Sequence, residues 1–279
     1  MFSDVLLTVD FDRTLTDTES VIPQRNLDAI DYFMENGGTF TINTGRDIAT
    51  LCQYMHQIKT NAPLLLLNGS ASYFEGKGDD FIPIPMDLWE TMEKIQELFP
   101  GQNIEIQDLE MHYLIDPVKE YCQLYENNGW RYEIAKKGAN IPFLKFAIFG
   151  KVHRPVMANM FEGSEEDLAD FDRMHKALEE YFGDKIVAFR SAPRIIDFHA
   201  PGVSKLNAAR NLQKKLGKKI LVCVGDAEND LCMLEGADYA FCPSDGIVAK
   251  RFPNVCTCGE GAVADVIYKE IPKILGILP

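Results

Sequence analysis

Four short apolar runs, each breaking off into a polar cluster, constrain this chain more than anything else in it. VLLTV precedes Asp10-Phe11-Asp12-Arg13-Thr14, TFTIN precedes Thr44-Gly45-Arg46-Asp47, PLLLL precedes Asn68-Gly69-Ser70, and KILVCV precedes Gly225-Asp226-Ala227-Glu228-Asn229-Asp230. Runs this short and this apolar suit strands buried on both faces, as in a parallel sheet. Between the first two lies a stretch with Pro23 at its start, Leu27, Ile30, Tyr32, Phe33 and Met34 mostly on one side, and Gly37-Gly38 at its end, which predicts a helix over 23–36. Strand, helix, strand opens a parallel α/β unit. Such sheets bind ligands in the crevice beyond the carboxyl ends of their strands, so the polar clusters are expected along one edge of one sheet.

In an extended strand Asp10 and Asp12 share one face while Phe11 points away. Two close carboxylates repel and ask for a cation or a shared proton. Mg²⁺ takes hard oxygen ligands and commonly bridges protein carboxylates to a phosphate. Taken alone, the pair fits equally well a turn that Asp10 opens and Asp12 caps.

With 279 residues, 46% of them hydrophobic, the chain can build one large domain or two moderate ones. A formal net charge of -14 argues against binding nucleic acid or an anionic membrane surface, because both partners are negative. The N-terminus lacks a signal-peptide pattern, and no run approaches the roughly 18 apolar residues of a membrane span; a cytoplasmic protein is expected. Seven scattered cysteines fit reduced thiols buried as small apolar residues, with no disulfide framework and no zinc spacing.

A helix is expected from Ile48 to about Ile58. From Gly76 the texture changes: Gly76-Lys77-Gly78-Asp79-Asp80 is a turn cluster and IPIP follows. Beyond it the pattern predicts helices at 88–98, 118–127 and 165–182 and strands near 103–106, 112–115, 144–150, 185–189 and 194–199. This reads as a separate α+β module, 83–189, inserted into a discontinuous core of 1–82 and 190–279. Ser204 is a good N-cap for a helix 205–216 that Gly217 ends. The strand 219–224, a helix through Met233, a short strand 239–242 and a helix 262–275 complete the core.

The ordered set DFDRT at 10–14, Thr44 in INTGR, Lys205 in GVSK, and GDAEND at 225–230 resembles the haloacid dehalogenase-like phosphatases of the Cof type, with a type-two cap inserted after the third core strand. The resemblance spans the whole chain, the cap by size and texture only. It implies an α/β fold: a three-layer Rossmann-like parallel-sheet core with an inserted α+β cap domain. It also implies an enzyme, a Mg²⁺-dependent phosphomonoesterase acting on a small phosphorylated metabolite such as a sugar phosphate. Asp10 would attack phosphorus to form an aspartyl phosphate, and Asp12 would serve as general acid and then base. Thr14 would brace the loop; Thr44 and the Gly45 amide would hold the phosphoryl oxygens. Lys205 would neutralise charge beside Asp10 and the phosphate, with Asn229 nearby. Asp226 would hold the metal directly with Asp10 and the Asp12 carbonyl, and Asp230 would support it from behind Asp226 or through a water.

Arg13 departs from the family where a small residue, often Gly, is usual, and so does Leu206, where Gly commonly follows the lysine. Arg46 is expected to pair with a core acid or else to contact substrate. In the insert, Lys145, Lys151, His153, Arg154 and Arg190 are candidates for reading the leaving group, although charged surface residues are usually just solvated. A phosphomutase, a non-catalytic phospho-ligand sensor and a receiver-like module are the rival readings; the large insert, and Lys205 preceding the GDAEND strand, do not fit the last.

Overall fold

The computed structural model describes residues 1–149, 164–192 and 194–278. They divide into two units, Met1–Arg46 with Leu51–Asp79 and Ser204–Pro279, and Asp47–Thr50 with Asp80–Val203. Along the chain come β1 (Val5–Val9), α1 (Gln24–Glu35), β2 (Thr39–Ile42), α2 (Ile48–Leu51), β3 (Leu64–Leu66), β4 (Ala71–Phe74) and β5 (Lys77–Asp79). Next are α3 (Leu88–Leu98), β6 (Asn103–Gln107), β7 (His112–Ile115), α4 (Lys119–Asn128), β8 (Tyr132–Ile134), β9 (Lys145–Phe149), α5 (Glu165–Phe182), β10 (Val187–Ala192) and β11 (Ile195–His199). Then follow α6 (Lys205–Lys215), β12 (Ile220–Val224), α7 (Leu231–Glu235), β13 (Tyr239–Pro243), β14 (Asn254–Val255) and a C-terminal helical stretch over 262–274.

The first unit is built on a parallel five-stranded sheet of order β14-β13-β12-β1-β2. β1 lies between β12 and β2 and is buried throughout, which is why its sequence is an unbroken apolar run apart from Thr8. Leu6 of β1 packs with Leu221 and Cys223 of β12 against Ala209 and Leu212 of α6 and Met233 and Leu234 of α7. Strand alternation turns Val5, Leu7 and Val9 to the opposite face. α1 and the C-terminal stretch are joined by buried Asn26, which donates to the Leu15 carbonyl (2.9 Å) and accepts from the Ala264 amide (3.0 Å).

The run 63–67, expected as a central parallel strand, lies beside β2 but not between two parallel strands. β3 meets β2 through the parallel bridge Asn43–Leu65 and the Thr41 hydroxyl on the Pro63 carbonyl (2.6 Å), and on its other side pairs antiparallel with β4, which pairs with β5. The expected turn cluster at 76–80 is a hairpin tip, with Gly76 at φ 83, followed by β5. α2 ends at Leu51 and tightens into a 3₁₀ turn, Cys52–Tyr54, short of the expected end at Ile58. Tyr54, the last residue of that turn, packs on Phe11, with ring centroids 4.9 Å apart. Over 262–274 the middle turn, Val266–Glu270, is π-helical with Pro272 just beyond it. Proline lacks an N–H and its ring crowds the carbonyl four residues back, and a widened turn absorbs both effects.

The second unit is a six-stranded sheet, order β10-β11-β9-β6-β7-β8, antiparallel except for β7 with β8. One face carries Ile104, Ile106, Phe146, Ile148, Ile196 and Phe198, packed on Met92 and Ile95 of α3 and Phe171, Met174 and Leu178 of α5. The alternate positions are polar and buried: Glu105, Gln107, Lys145, Asp197 and His199. This unit runs on to Val203, beyond the boundary expected at 189, because β11 is hydrogen-bonded onto β9 and β10 onto β11.

Candidate active site

Parallel pairing delivers the ends of β1, β2 and β12 to the same edge, and the ladder runs one residue past the strands. The Asp10 amide donates to the Val224 carbonyl and the Asn43 amide to the Val9 carbonyl, both at 2.9 Å. Asp10 and the cluster after β12 are thus neighbours through backbone alone. The chain then leaves β1 in a tight loop closed by Leu15 and Thr16 amides on the Asp10 and Phe11 carbonyls. Arg13 sits in that loop at φ 58, in the left-handed region. The departure at Arg13 therefore falls on the one position of the loop where glycine relieves strain.

Lys205 organises the charges. Its side chain is 1% exposed, and Nζ lies 2.6 Å from Asp10 Oδ1 and 2.6 Å from Asp230 Oδ1. Burial works against the ammonium, but Asp10 and Asp230 outweigh it and hold Lys205 charged. Asp230 spends its other oxygen on the amides of Asp226 (3.0 Å) and Ala227 (3.1 Å), which shapes the loop after β12. Thr14 Oγ1 donates to Asp226 Oδ1 at 3.2 Å, tying the two loops together. Ser204 caps α6, its hydroxyl accepting from the Asn207 amide at 3.0 Å, and so fixes where Lys205 starts the helix.

Asp10, Asp226 and Asp230 are all buried, and each offers an oxygen within 4.8 Å of the others. Burial pushes the Asp10 carboxyl well above its ordinary range; Lys205 opposes this, and Asp230, Asp226 and Asp12 add to it. Burial, then Asp230, raises Asp226 to about 7, against the pull of Lys205 and Thr14. One ammonium thus serves three carboxylates in a low-dielectric site. An all-oxygen donor set with surplus negative charge fits a hard divalent cation such as Mg²⁺.

Asp12 goes elsewhere. Arg46 holds it in a two-pronged pair, Nε to Oδ2 at 2.8 Å and Nη2 to Oδ1 at 2.6 Å. The guanidinium lies over the rings of Phe11 (5.1 Å) and Tyr54 (5.6 Å). The Asp12 carboxylate is accordingly not part of the three-acid group. Thr44 is 1% exposed at the end of β2, its hydroxyl accepting from the Arg46 amide at 3.2 Å. Gly45 beside it is half-buried, as is Asn229 on the 3₁₀ turn Glu228–Asp230.

Two asparagines escaped the sequence reading. Asn43 is fully buried and donates from Nδ2 to the Lys205 carbonyl at 2.9 Å, and Asn68 packs on Gly45. Asn43 closes the TFTIN run and Asn68 opens the cluster after PLLLL, but asparagine is so common in turns that its type gave neither a role. In the second unit Lys145 pairs with Asp197 at 3.0 Å, and Arg190 with Asp172. Lys151, His153 and Arg154 lie outside the described residues.

The family model described as haloacid dehalogenase-like hydrolase matches residues 7–249, which contain all four polar clusters and the insert. Among curated relatives, the 5-amino-6-(5-phospho-D-ribitylamino)uracil phosphatase YbjI of Escherichia coli is 25% identical over 281 residues, covering 95% of each chain. YcsE of Bacillus subtilis, which carries the same enzyme name, is 24% identical over 238 residues, covering 83% of this chain and 80% of that one. In fold, the chain is similar to a solved haloacid dehalogenase-like hydrolase from Bacteroides thetaiotaomicron, with TM-score 0.77, 18% identity, and coverage of 97% of this chain and 100% of that one. No helix among the described residues is long and apolar enough to cross a membrane. Because the family match runs through both the parallel sheet and the unit inserted in it, the chain belongs, as a whole, to the haloacid dehalogenase-like hydrolases of the Cof type.

Proposed function

We propose that this hydrolase is a Mg²⁺-dependent phosphomonoesterase that takes the phosphoryl group of a small phosphorylated metabolite, a sugar or sugar-alcohol phosphate, onto Asp10 and then passes it to water. The observation that carries the reading is the Lys205 ammonium lodged 2.6 Å from both Asp10 and Asp230, with Asp226 in the same buried group. The substrate class is supported by the relatives' name, which specifies a phosphoribityl compound.

Phosphoryl transfer asks the protein chiefly for positioning and charge compensation. An Asp10 oxygen attacks phosphorus, the bond from phosphorus to the leaving oxygen breaks, and Asp12 gives that oxygen a proton. In the second half Asp12 takes a proton from water as the water attacks phosphorus, and Asp10 departs as a carboxylate. Lys205 offsets the charge gathering beside Asp10, while Thr44 and the Gly45 amide hold phosphoryl oxygens and Asn229 stands by them. Asp10, Asp226 and Asp230, with the Asp12 carbonyl as a further oxygen, would hold a hard divalent cation, which would supply positive charge against the phosphoryl group. Since both Asp230 oxygens are already engaged by Lys205 and two amides, its part there is supporting. Delivery of a proton by Asp12 requires Arg46 to let go of it, and an anionic substrate is the natural competitor for that guanidinium.

The test is a panel of phosphorylated metabolites, including 5-amino-6-(5-phospho-D-ribitylamino)uracil and simple sugar phosphates, assayed for free phosphate with Mg²⁺ and with chelator. Turnover that needs Mg²⁺ and vanishes in a folded Asp10→Asn variant is expected. Wild-type rates in that variant, or indifference to chelation, refute the reading; phosphoryl groups moved to another carbon without free phosphate identify a mutase.

A further inference from the structure

Leu67 and Asn68 are consecutive buried residues in the left-handed region, at φ 52 and 54, and Gly69 follows at φ 99. Left-handed backbone is rare for a bulky buried residue such as Leu67, and a fold keeps it only where its surroundings over-determine it. Here the surroundings are the two arms of the phosphate site. On one side the turn is tied to the arm that carries Thr44 and Gly45: the Asn68 amide donates to the Thr44 carbonyl at 2.9 Å and the Leu67 amide to the Arg46 carbonyl at 3.0 Å. The Asn68 carboxamide lies where a side chain on Gly45 would go, with Oδ1 3.1 Å and Nδ2 3.3 Å from the Cβ position of that glycine. On the other side Gly69 abuts the start of α6. A Cβ on Gly69 would stand 2.7 Å from the Ser204 carbonyl oxygen and 2.9 Å from Ala208 Cβ, and Ser204 is the cap immediately before Lys205.

We infer that the turn Leu67–Gly69 is a rigid spacer that sets the separation between the Thr44-Gly45 arm and the Lys205 arm of the phosphate site, with Asn68 and Gly69 as its positioning residues. The inference rests on the reading that those arms bind the phosphoryl group. Asn68 braces the Gly45 peptide by filling the space beside its Cα. Gly69 lets the same turn seat against the Ser204 carbonyl, and Asn43, which donates to the Lys205 carbonyl, closes the arrangement from β2. A site whose charge-compensating groups come from separate strands needs such a spacer, because displacements on the order of 1 Å weaken binding and turnover by up to 10²-fold.

The test measures the inhibition constant of inorganic phosphate, together with kcat and KM for p-nitrophenyl phosphate, in full-length Asn68→Gly, Gly69→Ala and Thr44→Val enzymes. Glycine accepts the left-handed conformation at 68, so Asn68→Gly removes the brace without blocking the turn; Gly69→Ala forces the arms apart but carries a risk to folding. The inhibition constant does not depend on how much of a preparation is folded, so a role in stability alone leaves it unmoved. In Asn68→Gly it is expected to rise on the order of tenfold, with a comparable fall in kcat/KM. A wild-type constant in Asn68→Gly overturns the spacer while Thr44→Val still weakens phosphate. An unchanged constant in Thr44→Val overturns instead the assignment of the phosphate site.

Discussion

Replacing Lys205 by methionine separates the charge balance of the site from its chemistry. The methionine keeps the length of the buried side chain and removes the cation from Asp10 and Asp230, each 2.6 Å from Nζ. Two hydrogen bonds to a charged group are worth roughly 3–6 kcal/mol together. Deleting one partner of a buried ion pair costs about 3–5 kcal/mol. Asp10 can relieve part of the loss by holding a proton, since burial already pushes its carboxyl well above the ordinary range. We therefore expect a loss of about 3–4 kcal/mol without metal, toward the lower end of the range for a broken buried pair, which for a chain of this size lowers Tm by roughly 10 °C. The assay is thermal denaturation of wild type and Lys205→Met in chelator and again in saturating Mg²⁺, paired with turnover. Mg²⁺ is expected to narrow the gap in Tm, because a cation returns to the three carboxylates. If Lys205 plays the part proposed for it, turnover is expected to stay at least about 10²-fold down, because its positive charge no longer faces the phosphoryl group. An unchanged Tm in chelator would refute the claim that Lys205 is what balances the buried acids.

Arg13→Gly relieves the left-handed strain at φ 58 and is expected to raise stability by about 1 kcal/mol in thermal denaturation; a lower Tm would count against that strain. Gly236→Ala drives a methyl into Leu206 and is expected to cost about 1–3 kcal/mol, a loss that adding Leu206→Ala removes; additive losses would show that the two residues do not compete for space. In the second unit, His112 Nε2 lies 2.5 Å from Asp47 Oδ2 as an ion-pair contact off the line of a hydrogen bond, and Nδ1 faces Glu105 (3.4 Å) and the Tyr125 hydroxyl (3.1 Å). Burial works against the imidazolium, yet Asp47 and Glu105 hold His112 up at about 10, above its ordinary 6.5. Its contribution to stability is complete below pH 6.5 and is lost as pH rises through 10. Asp47 and Glu105, which His112 holds below their ordinary values against burial, contribute above about pH 4 and lose that contribution in acid. A fall in Tm between neutral pH and pH 10 that His112→Gln flattens is expected; an equal slope in both proteins would rule the histidine out as its source.

The strands that carry the site are local facts. β1 and β12 are apolar runs ended by acids, and burial on both faces demands that composition, so their extent was legible, while their order in the sheet came only from the pairing. The Ser204 cap was legible for the same reason, since a hydroxyl serves the amides of its own first turn. β4 and β5 were not, because Gly76, Lys77 and Gly78 spell a turn, and it is the pairing of β4 with β3 and of β5 with β4 that holds these residues extended. The short α2 was missed because its tightening into a 3₁₀ turn at Cys52–Tyr54, where Tyr54 meets Phe11 forty-odd residues away along the chain, leaves no local mark in the sequence.

The sequence by itself determined a parallel α/β core with an inserted α+β module and the residue types at its strand ends, because both follow from periodicity and from backbone chemistry within a few residues. Only the tertiary structure decided the partners. Lys205 reaches Asp10 and Asp230, Arg46 claims Asp12, and Asn43 fixes the Lys205 backbone. Those choices depend on which charged groups share a buried volume, where a low dielectric makes an unpaired charge costly. No local pattern in the chain records that volume.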